Sequence, residues 1–123
     1  MPEPKHILIV DDEPSIREIL CGALEMSGYR VSQAESPAAA KRIVAEGLPD
    51  LIITDLQLEY SDGLELISEI KVQHPNVPTL LLTGVWFDEK AIEERILKRV
   101  SSYIVKTAPL KTVLAEIGRL LAT

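Results

Sequence analysis

The chain has 123 residues, within the usual span of one domain, roughly 100–150 residues, so a single unit over residues 1–123 is expected. With 46% hydrophobic and 26% charged residues it is too apolar for a disordered segment, and a net charge of −6 without a clustered Lys/Arg run excludes direct binding of nucleic acid. No apolar run approaches the ~18 residues needed to cross a bilayer and Met1 to Lys5 is no signal peptide, so no membrane association and a cytoplasmic location are expected.

Five strands and five helices are predicted, in strict alternation. Ile7 to Val10 is a short run of apolar residues suited to a strand covered on both faces. A first helix follows Pro14, with Ile16, Ile19, Leu20, Ala23 and Leu24 on its inner stripe and Gly28 as its stop. Cys21 lies within it, has no partner for a disulfide or metal site, and reads as a buried reduced thiol. Arg30 to Ala34 is a weaker strand of edge character. Ser36 and Pro37 cap and open a second helix with Ala40, Ile43 and Val44 inward, and Gly47 ends it.

Leu51 to Ile53 is the third strand, and Asp62 caps a third helix with Leu66, Ile67 and Ile70 inward and Pro75 beyond its end. Leu80 to Leu82 is the fourth strand. Asp88 caps a fourth helix whose face is Ile92, Ile96 and Val100, and the rest of its charge-rich stretch reads as a solvated face. Tyr103 to Val105 is the fifth strand. Pro109 opens a fifth helix whose stripe is Leu110, Val113, Leu114, Ile117, Leu120 and Leu121. Such alternation predicts an α/β fold with a parallel sheet and helices on both faces.

Open parallel sheets bind ligands beyond the carboxyl ends of their strands, where strand order reverses. The residues at those ends are Asp11 and Asp12, Asp55, Thr83 and Gly84, and Lys106. Carboxylates gathered in one pocket need a cation, and oxygen ligands without His or Cys favour Mg²⁺ over zinc. A carboxylate can accept a phosphoryl group, with Lys106 as a fixed counter-charge and Thr83 as a hydroxyl donor.

Each residue also has a structural reading. Asp12 taken alone is a helix N-cap, Lys106 a surface lysine, Thr83 a strand-end hydroxyl and Tyr103 a core residue with its hydroxyl at the surface. His6 and His74 read as surface residues rather than ligands.

Together, Asp11-Asp12-Glu13-Pro14, Asp55-Leu56-Gln57-Leu58 with Asp62-Gly63-Leu64-Glu65-Leu66, Thr83-Gly84 and Tyr103-Ile104-Val105-Lys106 resemble the receiver domain of bacterial two-component response regulators. The resemblance covers essentially the whole chain and implies a flavodoxin-like, doubly wound five-stranded sheet of order 2-1-3-4-5. It implies Asp55 as the phosphoacceptor, Mg²⁺ held by Asp11, Asp12, Asp55 and the backbone carbonyl of Gln57, and Thr83 with Tyr103 as a switch.

It implies as partners a sensor histidine kinase or histidine phosphotransfer protein, then a downstream protein or output domain. Output, or homodimerisation, would use the face of the fourth helix, fifth strand and fifth helix. Such a domain is no enzyme in the usual sense, since it assists only its own phosphorylation and dephosphorylation.

The chain departs from the family pattern in places. Thr107 replaces the proline that usually follows the lysine with a cis peptide, so a trans or strained loop is expected; a cis bond before a non-proline residue costs about 2.5–4 kcal/mol. Glu59 replaces a common proline, Arg99-Val100 a common Gly-Ala pair, and Trp86-Phe87 is atypical and read as packing under a helix.

Three alternatives compete with this resemblance. A Mg²⁺-dependent aspartyl-phosphate phosphohydrolase of the haloacid dehalogenase type would carry its nucleophile after the first strand in Asp-x-Asp and a cap domain, neither of which is present in these residues. A degenerate receiver binding partners without phosphorylation conflicts with the intact acids. A flavodoxin-like electron carrier needs a Ser/Thr/Gly-rich phosphate loop where this chain has acids.

Overall fold

The computed structural model describes residues 4–58, 61–84 and 100–122. Its elements are β1 (His6–Val10), α1 (Pro14–Met26), β2 (Arg30–Ala34), α2 (Pro37–Glu46), β3 (Leu51–Asp55), β4 (Gln57–Leu58), β5 (Ser61–Asp62), α3 (Gly63–Gln73), β6 (Thr79–Thr83), β7 (Ser102–Val105) and α4 (Leu110–Leu121). The main sheet is parallel throughout, with spatial order β2-β1-β3-β6-β7, while β4 and β5 pair with each other as a separate antiparallel ladder. Counting main-sheet strands alone, this is the expected 2-1-3-4-5.

α4 is the fifth helix expected from sequence. The expected fourth helix, Glu59, and Trp86 and Phe87 lie outside the described residues, as does Arg99. Among the described residues there are therefore four helices.

The strands bury residues on both faces because helices cover both. Ile7, Ile9, Leu51, Ile53, Leu80 and Leu82 meet Leu20, Cys21 and Leu24 of α1 and Val113, Ile117 and Leu120 of α4. Leu8, Val10 and Ile52 point the other way, onto Ala40 and Val44 of α2 and Leu66 and Ile70 of α3. The period of two along each strand thus sorts one apolar run into two cores.

The readings at Ser36, Asp62, Pro14 and Gly28 hold. Ser36 Oγ accepts the Ala39 N–H at 3.2 Å, Asp62 Oδ1 accepts the Leu64 N–H at 2.6 Å, Pro14 sits in the first turn of α1, and Gly28 follows it with φ 94°. Asp12 is not the N-cap of α1. Glu13 holds that position, with no side-chain cap bond.

Three expectations about exposure are corrected. Ile19 is 63% exposed because the buried face of α1 is centred on Leu20, Cys21 and Leu24, which leaves Ile19 on its edge. Leu110, in the first turn of α4, is 40% exposed. His6 is buried: its Nε2 pairs with Ser32 Oγ at 2.7 Å, and its backbone N–H donates to Asp50 Oδ2 at 2.8 Å. Cys21 is buried as expected, and burial with the nearby Glu25 carboxylate pushes its thiol pKa up. No helix among the described residues is long and apolar enough to cross a membrane.

Candidate functional site

β1 has β2 on one side and β3 on the other, so strand order reverses between β1 and β3 and opens a crevice at their carboxyl ends. Asp11 follows β1 and Asp55 ends β3, one on each side of it. Asp11, Asp12 and Asp55 each offer a carboxylate oxygen, and these oxygens lie within 4.8 Å of one another. Asp11 and Asp55 are buried and Asp12 is half-buried. Gln57 is the second residue beyond Asp55, in β4, paired with Asp62.

Lys106 enters from the far side of β6. Its backbone N–H donates to the Thr83 carbonyl at 2.7 Å, tying the loop after β7 to the end of β6. Its ammonium donates to Asp55 Oδ2 at 2.8 Å and lies 3.2 Å from Asp11 Oδ2. The peptide bonds are trans among the described residues, that before Thr107 included, and the loop still delivers the ammonium to the acids. A lysine read alone as a surface residue is thus the counter-charge at the centre of the pocket.

The electrostatics follow from one ammonium among several carboxylates. Burial raises the Asp11 pKa above its ordinary value; the Glu13 N–H, bonded to Asp11 Oδ1 at 2.9 Å, and Lys106 only partly offset this. Burial alone would pull the Lys106 pKa down. The hydrogen bond to Asp55 and the charges of Asp11 and Asp55 outweigh that effect and leave it raised. Glu13, 3.6 Å away through Oε1, adds a further carboxylate at the rim. A pocket with this surplus of negative charge favours a small divalent cation.

Thr83 is buried at the end of β6. Leu81 and Thr83 pair in register with Tyr103 and Val105 of β7, so Thr83 and the half-buried Tyr103 share one face of the sheet as diagonal neighbours. Tyr103 packs against the cluster of Leu64, Ile67, Leu81 and Val100.

Four residues at the pocket have no role legible in the motifs alone. Glu13 reaches Lys106, the Arg17 guanidinium donates to the Asp11 carbonyl, and Thr54 and Gly63 touch the Asp55 carbonyl. Gly63 did carry a signal. Glycine is a poor helix former, and its place directly after an N-cap suggests that something requires it there.

Comparison with known proteins agrees with this geometry. The sequence profile described as the response regulator receiver domain matches residues 7–118. The chain belongs to this family. Receiver domains are the phosphoacceptor switches of two-component response regulators.

Among its relatives is the phosphate regulon transcriptional regulatory protein PhoB of Pseudomonas aeruginosa. The two are 35% identical over 123 residues, covering 93% of this chain and 53% of that protein. The transcriptional regulatory protein GlrR of Escherichia coli is 38% identical over 82 residues, 67% of this chain and 18% of that protein. The receiver thus spans about half of one relative and under a fifth of the other. The crystal structure of response regulator TrrA from Thermotoga maritima, in complex with Mg²⁺-BeF, matches with TM-score 0.83 at 30% identity, covering 94% of this chain and 98% of that one. The BeF₃-activated receiver domain of RstA from Klebsiella pneumoniae matches with TM-score 0.86 at 28% identity, covering 97% and 100%.

Proposed function

We propose that Asp55 accepts a phosphoryl group from a phosphohistidine on a sensor histidine kinase or histidine phosphotransfer protein. The observation that carries this reading is the Lys106 ammonium 2.8 Å from Asp55 Oδ2, inside a cluster of three carboxylates. An Asp55 carboxylate oxygen attacks phosphorus, a P–O bond forms as the P–N bond breaks, and the departing imidazole nitrogen keeps the electron pair. The product is an acyl phosphate on Asp55. Lys106 stays beside it and offsets the charge the phosphoryl oxygens bring into the pocket.

Mg²⁺ fits the all-oxygen donor set of the Asp11, Asp12 and Asp55 carboxylates, and the backbone carbonyl of Gln57 would complete it. An ion held there would supply positive charge against the phosphoryl oxygens. The domain accelerates only its own phosphorylation and the hydrolysis of its acyl phosphate.

Thr83 and Tyr103 convert the new charge into a change of surface. The Thr83 hydroxyl moves toward the phosphoryl group and the Tyr103 ring takes the space released, which alters the face that carries β7 and α4. Through that face the domain acts on a downstream protein or output domain, or forms a homodimer. This reading treats residues 1–123 as one cytoplasmic domain, whose two apolar cores share a single sheet.

The test is incubation with Mg²⁺ and acetyl phosphate, followed by intact mass measurement. Wild type gains one phosphoryl group and Asp55→Ala gains none. Absence of an adduct under all conditions contradicts the proposal, and steady phosphate release from many small esters favours a hydrolase.

A further inference from the structure

Two groups crowd the Asp55 carbonyl oxygen. The Thr54 hydroxyl, fully buried, donates to it at 3.0 Å. Beside that hydroxyl lies Gly63, where an added Cβ would stand 2.0 Å from that oxygen, 3.0 Å from the Asp55 carbonyl carbon and 3.1 Å from Thr54 Oγ1. A contact of 2.0 Å lies far inside the ~3.5 Å at which nonbonded heavy atoms attract. The atoms met first are backbone, which cannot rotate aside as a side chain can.

Gly63 is held in this place by its surroundings. Asp62 caps α3 through the Leu64 N–H, and the Gly63 N–H donates to the Leu56 carbonyl at 2.8 Å. The β4–β5 ladder pairs Gln57 with Asp62 and Leu58 with Ser61. The chain leaving Asp55 therefore turns back and closes on the carbonyl it left.

We propose that Gly63 and Thr54 form a clamp on the Asp55 main chain and are positioning residues for phosphorylation and for Mg²⁺ binding. The clamp sets where the Asp55 carboxylate stands relative to Lys106, and where the Gln57 carbonyl stands relative to the acids. A Cβ at position 63 pushes Asp55 and the turn apart, and a displacement near 1 Å is enough to lose about 100-fold in rate. Loss of the Thr54 hydroxyl frees the same carbonyl to shift. The phosphorylation part rests on Asp55 being the acceptor; the metal part does not.

The test compares wild type, Gly63→Ala, Thr54→Val and Thr54→Ser in Mg²⁺ titrations by calorimetry, in the rate of adduct formation with acetyl phosphate, and in metal-free thermal unfolding. Gly63→Ala is expected to weaken Mg²⁺ binding by about tenfold and slow phosphorylation by tenfold or more. Thr54→Val keeps the side-chain shape but is expected to lose several-fold in both measurements. Thr54→Ser keeps the hydroxyl, loses a methyl group, and matches wild type in both while unfolding at a lower temperature.

If Gly63→Ala does not fold, the Thr54 pair decides. Wild-type Mg²⁺ affinity and rate in folded Gly63→Ala or in Thr54→Val overturn the clamp, whatever the unfolding temperatures, because a purely structural role moves only those. If wild type itself takes no phosphoryl group, the acceptor reading fails and the Mg²⁺ titrations judge the clamp separately.

Discussion

At the scale of residues, the pocket is a set of charges that the fold alone would not favour. Burial holds the Asp11 pKa above its ordinary value, so the folded chain binds this proton more tightly than the unfolded chain does. The stabilisation from this group is present below the ordinary carboxylate range and is lost as pH rises through the folded-state value. Above that folded-state value the ionised Asp11 carboxylate opposes folding. Asp11→Asn is expected to raise the metal-free unfolding temperature by a few degrees, about 1 kcal/mol or less, and to shrink the further rise that Mg²⁺ gives wild type. Differential scanning calorimetry with and without Mg²⁺ checks both.

His6 gives the opposite sign. Burial and the Arg30 charge lower its pKa below 6.5, with Asp50 opposing them, and its ring is bonded to Ser32. The unfolded chain takes up this proton first as pH falls, so stability drops from pH 6.5 down to the folded-state value and then levels. His6→Gln should flatten that slope in urea titrations. The sequence reads His6 as a surface residue because it stands apart from His74, and no pattern in it shows that the ring pairs with Ser32 of the neighbouring strand. The acids and Lys106 were legible because each ends a strand. Arg17 and Thr54 bond to backbone carbonyls, which leave no mark in residue type, whereas Gly63 is marked by its place after the N-cap.

At the scale of elements, α1 and α4 each show how a stripe of apolar residues overstates what is buried. Leu24 is fully buried, whereas Ile19 is 63% exposed and lines, with Ile16, Leu20 and Leu110, a groove of about 200 Å³ beside Lys106. Leu24→Ala should cost about 3 kcal/mol through lost burial and the cavity left behind. Ile19→Ala should cost less than about 1 kcal/mol, because its side chain already meets water. Equilibrium unfolding of the two variants measures the difference. The boundaries of β2 were legible to the residue, since Gly28 before it and Ser36-Pro37 after it punctuate the chain. The β4–β5 ladder was not, because two-residue strands have no period to read.

At the scale of the whole molecule, the parallel order brings residues far apart in sequence to one crevice. Asp55 and Lys106, 51 positions apart, meet at 2.8 Å because β6 seats between β3 and β7. The alternation of strands and helices made the sheet legible, and the family resemblance supplied its order. The acids and Lys106 then meet because of which strand ends adjoin. In the proposed function Asp55, rather than Thr83 or another hydroxyl, carries the phosphoryl group. Borohydride reduction of protein phosphorylated with acetyl phosphate, followed by peptide mapping, tests it most directly, because an acyl phosphate is reduced to an alcohol whereas a phosphate ester is not. Homoserine at position 55 is the predicted result; an unreduced Asp55 with phosphate on Thr83 or elsewhere would contradict the account.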